Sequence, residues 1–172
     1  MDLKEHIRNI KDFPKEGIMF RDITTLLKNP DAVKFTLNEL LKSASKFKVN
    51  KVLGIESRGF IFGALLANEL NCGFVPVRKP GKLPAEKESA SYALEYGTDT
   101  LEIHKDAVNE GDKVLIHDDL LATGGTMQAA SGLVEKLGGE VVQLSFIIEL
   151  SFLNGREKLR DYDIVSLVSY AD

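Results

Sequence analysis

Val114-Leu115-Ile116-His117-Asp118-Asp119-Leu120-Leu121-Ala122-Thr123-Gly124-Gly125-Thr126 is the stretch whose reading decides the fold. Val114 to Ile116 is a short apolar run of the kind a strand buried on both faces requires, and two carboxylates stand where that run ends. Thr123 to Thr126 then bring small side chains, hydroxyls and backbone N–H groups directly ahead of Ala130, Leu133, Val134 and Leu137, which recur at helical spacing. Strand, turn and helix in that order make a phosphate cradle. A helix start leaves N–H groups unpaired and carries roughly half a positive charge, so an anion placed there meets aligned donors.

The same order appears upstream. Lys51 to Ile55 reads as a core strand, Glu56-Ser57-Arg58-Gly59-Phe60 as a polar turn, and Ile61 to Leu70 as a helix. Gly73 to Val77 is another strand, followed by Arg78-Lys79-Pro80-Gly81-Lys82-Leu83-Pro84, whose prolines and glycine exclude a central strand or a helix. Residues 90 to 104, with Tyr92, Tyr96, Thr98 and Thr100 around Gly97, suggest a hairpin-like excursion. Val141 to Leu150 is a long apolar strand, residues 154 to 160 a short helix, and Ile164 to Val168 a last strand. Ahead of the first strand, residues 30 to 47 carry a helical rhythm opened by Asn29, Pro30 and Asp31. Leu3, Ile7 and Ile10 predict a short amphipathic helix, and residues 13 to 24 an ordered loop punctuated by Pro14 and Gly17.

This alternation predicts an α/β fold, a mainly parallel sheet with helices on both faces. Such sheets bind ligands beyond the carboxyl ends of their strands, where three polar turns fall: residues 56–59, 78–82 and 118–126. Converging there, a cradle, two carboxylates and several cations suit a ligand with two separated phosphate groups joined by a polyhydroxyl unit. With 172 residues, 44% of them hydrophobic, the chain fills one domain and leaves little for a second large one. A net charge of −4 argues against a broad nucleic-acid surface. Cys72, the lone cysteine, permits no intrachain disulfide and fits a reducing compartment. Met1 to Lys11 shows no secretory pattern and no apolar run approaches the ~20 residues of a membrane helix, so a cytoplasmic protein is expected. The glycine loop lacks the Gly-Lys-Ser/Thr ending of a nucleoside-triphosphate hydrolase. A phosphoacceptor aspartate of the response-regulator type would not be followed at once by Thr-Gly-Gly-Thr.

The segment Val114 to Thr126 resembles the phosphoribosyl-pyrophosphate (PRPP) signature of the type I phosphoribosyltransferases, two acids followed by Ala-Thr-Gly-Gly-Thr. The resemblance extends along nearly the whole chain. It includes Phe13-Pro14, Phe20-Arg21-Asp22-Ile23, Ser57-Arg58-Gly59-Phe60, Arg78-Lys79 with Gly81-Lys82-Leu83-Pro84, Ala90-Ser91-Tyr92 with Leu94-Glu95-Tyr96-Gly97, and Gly155-Arg156-Glu157-Lys158-Leu159. Phe-Arg-Asp-Ile, Ser-Arg-Gly-Phe and Leu-Glu-Tyr-Gly are similar to the branch of the family that uses adenine.

The resemblance implies transfer of a 5-phosphoribosyl group from PRPP to adenine, giving AMP and pyrophosphate in purine salvage. Runner-up readings are transfer to hypoxanthine or guanine, and a non-catalytic PRPP-sensing regulator. It implies a single domain over residues 1–172, with a hood and base-recognition segment at about residues 1–30 and a flexible loop and hairpin at about 78–104. Ala122, Thr123, Gly124, Gly125 and Thr126 would hold the 5-phosphate, and Asp118 and Asp119 the ribose hydroxyls, since an ionised carboxylate only accepts. Both aspartates reach the sugar only if the strand ends at Asp118, because successive strand residues face opposite ways. Ser57, Arg58, Arg78, Lys79 and Lys82 would bind pyrophosphate, with a cis peptide before Ser57; Glu56, where some relatives carry Asp, reads as tolerated variation. Glu95 and Arg58 would be catalytic, and Met19, Phe20, Arg21 and Leu153 would meet the adenine. Mg²⁺ would arrive mainly on PRPP or pyrophosphate, and the protein would be a homodimer. Read singly, Glu95 is an ordinary solvated acid, Arg78-Lys79 a solvated charge run, and Phe20 a core residue. His117 reads as a packed histidine and Cys72 as a small hydrophobe.

Overall fold

The computed structural model describes residues 1–94 and 97–172. Two compact units divide the chain, Met1–Glu39 and Leu40–Asp172.

In the first unit, Leu3–His6 is a single 3₁₀ turn whose Lys4 N–H is accepted by the Asp2 side chain at 2.9 Å. Strand β1 (Arg8–Lys11) then pairs antiparallel with β2 (Met19–Asp22). A hairpin therefore replaces the second half of the helix expected from Leu3 to Ile10, of which Leu3–His6 remains as a 3₁₀ turn, and part of the loop expected after Phe13. The reason is cooperativity: so short a helix closes few internal hydrogen bonds, whereas a strand takes its bonds from a partner the local rhythm does not reveal. Helix α1 (Thr24–Leu27) follows. Helix α2 (Pro30–Ala44) starts as its sequence demands, with the Asn29 side chain accepting from the N–H groups of Asp31 and Ala32 at 3.0 and 3.2 Å and proline in the first helical position.

The second unit is a five-stranded sheet. Strands β3 (Lys51–Ile55), β4 (Gly73–Val77), β7 (Lys113–Leu121), β8 (Glu140–Leu150) and β9 (Ile164–Tyr170) lie in the order β4-β3-β7-β8-β9, every pair parallel. Adjacent β3 residues Val52 and Leu53 are both fully buried, the mark of a strand covered on two faces. Leu53, Ile116, Leu144 and Phe146 pack with Met127, Ala130 and Val134 of helix α4 (Gly125–Lys136). On the opposite face lies helix α3 (Gly59–Glu69), whose Phe62 meets the His117 ring edge-on at 6.3 Å. Strands β5 (Lys87–Ala93) and β6 (Thr98–His104) form a separate antiparallel hairpin, and helix α5 (Gly155–Lys158) is a single turn. From β3 the chain crosses outward to β4, and from β7 it crosses the other way to β8. The carboxyl ends of β3 and β7 thus flank the switch point where such sheets hold ligands.

Candidate active site

Beyond β7 the chain turns through Gly124, at φ 83°, into α4. No side chain caps that helix and no acid occupies its first turn, so its amide donors and dipole are offered to an anion. Beside it lies a cavity of about 70 Å³ lined by Asp118, Ala122, Thr123, Gly124 and Thr126, with room for a tetrahedral anion.

β7 does not end at Asp118. It continues through Leu121, which pairs with Glu149 of β8. The paired carboxylates nonetheless stay close enough to interact. Asp118 lines the cradle cavity with its carboxylate also beside Gly59 at the start of α3, and Asp119, 4% exposed, receives the Arg58 Nε–H at 2.5 Å. Asp118 accepts the Asp119 N–H at 2.9 Å. Burial, and then the neighbouring Asp119 charge, push Asp118 well above the usual carboxylate range. His117 lies next to them on the strand, fully buried, with Nδ1 2.7 Å from the Ser145 hydroxyl. Burial lowers it to about 3, against a hydrogen bond with the Ser145 main chain, so it stays neutral and is a packing residue.

At the end of β3 the Glu56–Ser57 peptide is cis. Glu56, read from the sequence as tolerated variation, is instead the hub of the basic turn. Its carboxylate accepts the Lys79 backbone N–H at 2.8 Å, Lys82 Nζ at 2.9 Å and Arg78 Nη2 at 3.3 Å. Burial alone would raise this acid, but the Lys79 amide, Lys82 and Arg78 outweigh it and hold Glu56 at about 2. Lys79 reaches the other way, donating to Asp99 and to the Tyr92 hydroxyl, the latter at 3.2 Å. Burial opposes its charge, yet Asp99 and Tyr92 prevail and keep Lys79 above its ordinary value. The basic turn is thereby tied to the β5–β6 hairpin at the Tyr92–Asp99 pair, near its tip.

The three turns thus meet: Glu56 reaches the cations at 78–82, and Arg58 reaches Asp119. Ser57 is exposed at the head of α3. In the first unit, Met19 is 39% exposed, Phe20 meets the Phe13 ring edge-on at 5.1 Å, and buried Arg21 donates to the Asn9 side chain at 2.8 Å. Leu153 is exposed in the turn after β8. Glu95, expected to be catalytic, lies outside the described residues. Sequence reasoning missed Glu56, Asp99 and the Glu149–Arg156 pair; only for Glu56 was a signal available, an acid standing directly before Ser57-Arg58 in an otherwise basic setting.

A parallel sheet carrying an anion cradle, a carboxylate and a basic turn at its switch point defines a class of proteins that bind phosphorylated polyhydroxy ligands. The phosphoribosyl transferase domain family matches residues 22–169, and the chain belongs to that family. The adenine phosphoribosyltransferase of Flavobacterium johnsoniae is 58% identical over 170 residues, covering 99% of this chain and 100% of that protein. The crystal structure of adenine phosphoribosyltransferase from Thermoanaerobacter pseudethanolicus has a TM-score of 0.95 at 56% identity, covering 98% of each chain. That of Saccharomyces cerevisiae adenine phosphoribosyltransferase, complexed with an imino-altritol bisphosphate and adenine, has a TM-score of 0.90 at 42% identity, covering 96% of each chain. Among the described residues no helix is long and apolar enough to cross a membrane.

Proposed function

We propose that this chain transfers the 5-phosphoribosyl group of PRPP to adenine, releasing pyrophosphate and forming AMP, a purine salvage step. The observation that carries the chemistry is the β7–α4 unit, in which an uncapped helix start and the Asp118 carboxylate share one cavity. Relatives similar over their whole length and named adenine phosphoribosyltransferase supply the base. Ala122 to Thr126 bind the 5-phosphate, and Asp118 and Asp119 the ribose hydroxyls, with Asp118 the more important because it lines the cavity. Ser57, Arg58, Arg78, Lys79 and Lys82 take the pyrophosphate, exchanging carboxylate partners for phosphate oxygens. In the first unit, residues 1–30 form the base-recognition segment, Phe20 stacking on adenine while main-chain groups of Met19 and Arg21 read its edge; the Arg21 guanidinium, bound to Asn9, leaves that task to its backbone. Leu153, in the second unit, offers apolar surface.

Glu95 acts on the purine proton and steadies an oxocarbenium-like transition state. Closure of the 78–104 segment keeps water from PRPP. Mg²⁺ would arrive on PRPP, where it would supply charge neutralisation of the pyrophosphate, keeping most of its ligands as water and phosphate oxygen. We further propose a cytoplasmic homodimer. Supporting the dimer, Gly59 to Ala67 in α3 contain no polar side chain, and Ile61 is 39% exposed.

Steady-state assays with PRPP and adenine, hypoxanthine, guanine or xanthine test the reading. AMP formation with adenine is expected; another nucleotide instead would overturn the base, and inactivity with every base the enzyme. Glu95→Ala is expected to lower kcat by roughly 10²-fold with little loss of PRPP affinity. An unchanged kcat, with chemistry limiting, makes Glu95 a bystander.

A further inference from the structure

The segment Gly155-Arg156-Glu157-Lys158-Leu159 has no part in the chemistry described above, yet its backbone is packed directly against the phosphate cradle. A Cβ built on Gly124 would fall 2.7 Å from the Gly155 carbonyl oxygen, and one built on Gly155 would overlap the Ala122 carbonyl oxygen and come within 3.0 Å of Leu121 Cδ1. Backbone therefore rests on backbone with no side chain between to absorb a shift. The wall behind the cradle is as well placed as residues 154–155 are, and those have little local support. Asn154 is left-handed at φ 52° and α5 is a single turn, too short to hold itself.

What holds it is Arg156. Its Nε and Nη2 donate to Glu149 Oε1 and Oε2 at 2.7 and 2.8 Å, a two-pronged pair with a residue on the carboxyl-terminal part of β8. Nη2 also donates to the Ser166 hydroxyl at 2.9 Å, Nη1 to the Ile164 carbonyl at 3.3 Å, and Ser166 in turn donates to Glu149. One guanidinium thus ties α5 to β8 and β9, and Glu149 is itself paired in register with Leu121, immediately ahead of the cradle. The Glu149 carboxylate is 9% exposed, so its loss of partner would leave a nearly buried charge.

We propose that Arg156, with Glu149 and Ser166, is a positioning residue for the 5-phosphate half of the donor: it fixes the Gly155 backbone that backs the cradle and thereby sets affinity for the phosphorylated end of the substrate. This rests on the phosphoribosyl-transfer reading. The discriminating variant is Arg156→Lys, which keeps the charge and loses the fork. Calorimetric titration with ribose 5-phosphate and, separately, with pyrophosphate in the same Mg²⁺ buffer measures the two halves of the site. Expected are an approximately tenfold weaker Kd for ribose 5-phosphate, a matching rise in KM for PRPP, and less than a twofold change in Kd for pyrophosphate and in kcat.

A purely stabilising role would lower Tm and the number of competent sites while leaving the Kd of each unchanged, and that result overturns the proposal. Equal weakening of both ligands also overturns it, because the damage would not be confined to the cradle. Should Arg156→Lys fail to fold, Ser166→Ala removes one strand of the clamp and carries the same comparison, with a two- to threefold effect on ribose 5-phosphate alone expected and no effect decisive against. A wild-type protein that binds no ribose 5-phosphate and makes no AMP removes the functional reading itself, whereas active wild type with an indifferent variant removes the clamp only.

Discussion

Glu56, just past the end of β3, and Asp118, within the neighbouring β7, are carboxylates whose surroundings drive them in opposite directions. Glu56 is half-buried but ringed by donors and held at about 2; Asp118, half-buried and desolvated beside another acid, is pushed up. For Glu56 the folded value lies below the ordinary 4.5, so its stabilisation is present above that pH and is lost as pH falls toward 2, an amount of about 3 kcal/mol. Glu56→Gln should therefore unfold at lower temperature than wild type at neutral pH, with the gap closing between pH 4.5 and about 2 in thermal scans. A gap independent of pH would refute the charge argument. Raised KM for PRPP is expected too, because the basic turn loses its hub. Asp118 has the opposite sign: stability is present below the ordinary carboxylate range and is lost as pH rises through its elevated value. Asp118→Asn, which keeps the oxygen that accepts the Asp119 N–H, should raise Tm at neutral pH by a few degrees, match wild type near pH 4, and lose PRPP affinity. Lower stability at neutral pH would show that the carboxylate is not under strain there.

At the scale of elements, the unit that matters is β7, the turn and α4. The turn is legible as a cradle because Thr123-Gly124-Gly125-Thr126 leaves room for nothing but backbone and small side chains. The length of the strand is not, since Leu120 and Leu121 continue it only through pairing with Ile148 and Glu149. Two glycines at positive φ separate the effect of backbone conformation from that of close packing. Gly81, at φ 79°, has nothing within 4 Å of a would-be Cβ; Gly124, at φ 83°, has the Gly155 carbonyl. Gly81→Ala should cost only about 1 kcal/mol of conformational strain, measured by denaturant unfolding. Gly124→Ala should cost at least twice as much and also weaken ribose 5-phosphate binding, because relief of the clash displaces the cradle. Equal costs would mean that the 155 backbone yields freely.

Across the whole molecule, the sheet order makes the switch point, and α3 supplies an apolar surface. Sedimentation velocity should find a dimer, and Ile61→Glu should shift it toward monomer while the wild-type fold, by circular dichroism, is kept; a monomeric wild type would remove the proposal. The sequence by itself determined that the sheet is parallel and covered twice, because runs such as Val114 to Ile116 and Lys51 to Ile55 leave no face for water, and because helical spacing follows each polar turn. It also determined the cradle, which depends only on residues adjacent in the chain. Tertiary structure alone decided the rest. Strand β1 takes its bonds from β2, across an intervening loop, so Leu3 to Ile10 looked helical. Asp118 and Asp119, neighbours in sequence, came to different partners, the cradle cavity and Arg58, on a strand that another strand prolonged. Glu56 became a hub because the turns after β3 and β4 end side by side, and Arg156 reached the cradle through a backbone contact that no spacing encodes. Local rhythm fixes which element a residue joins; what that residue touches is fixed by pairing across the fold.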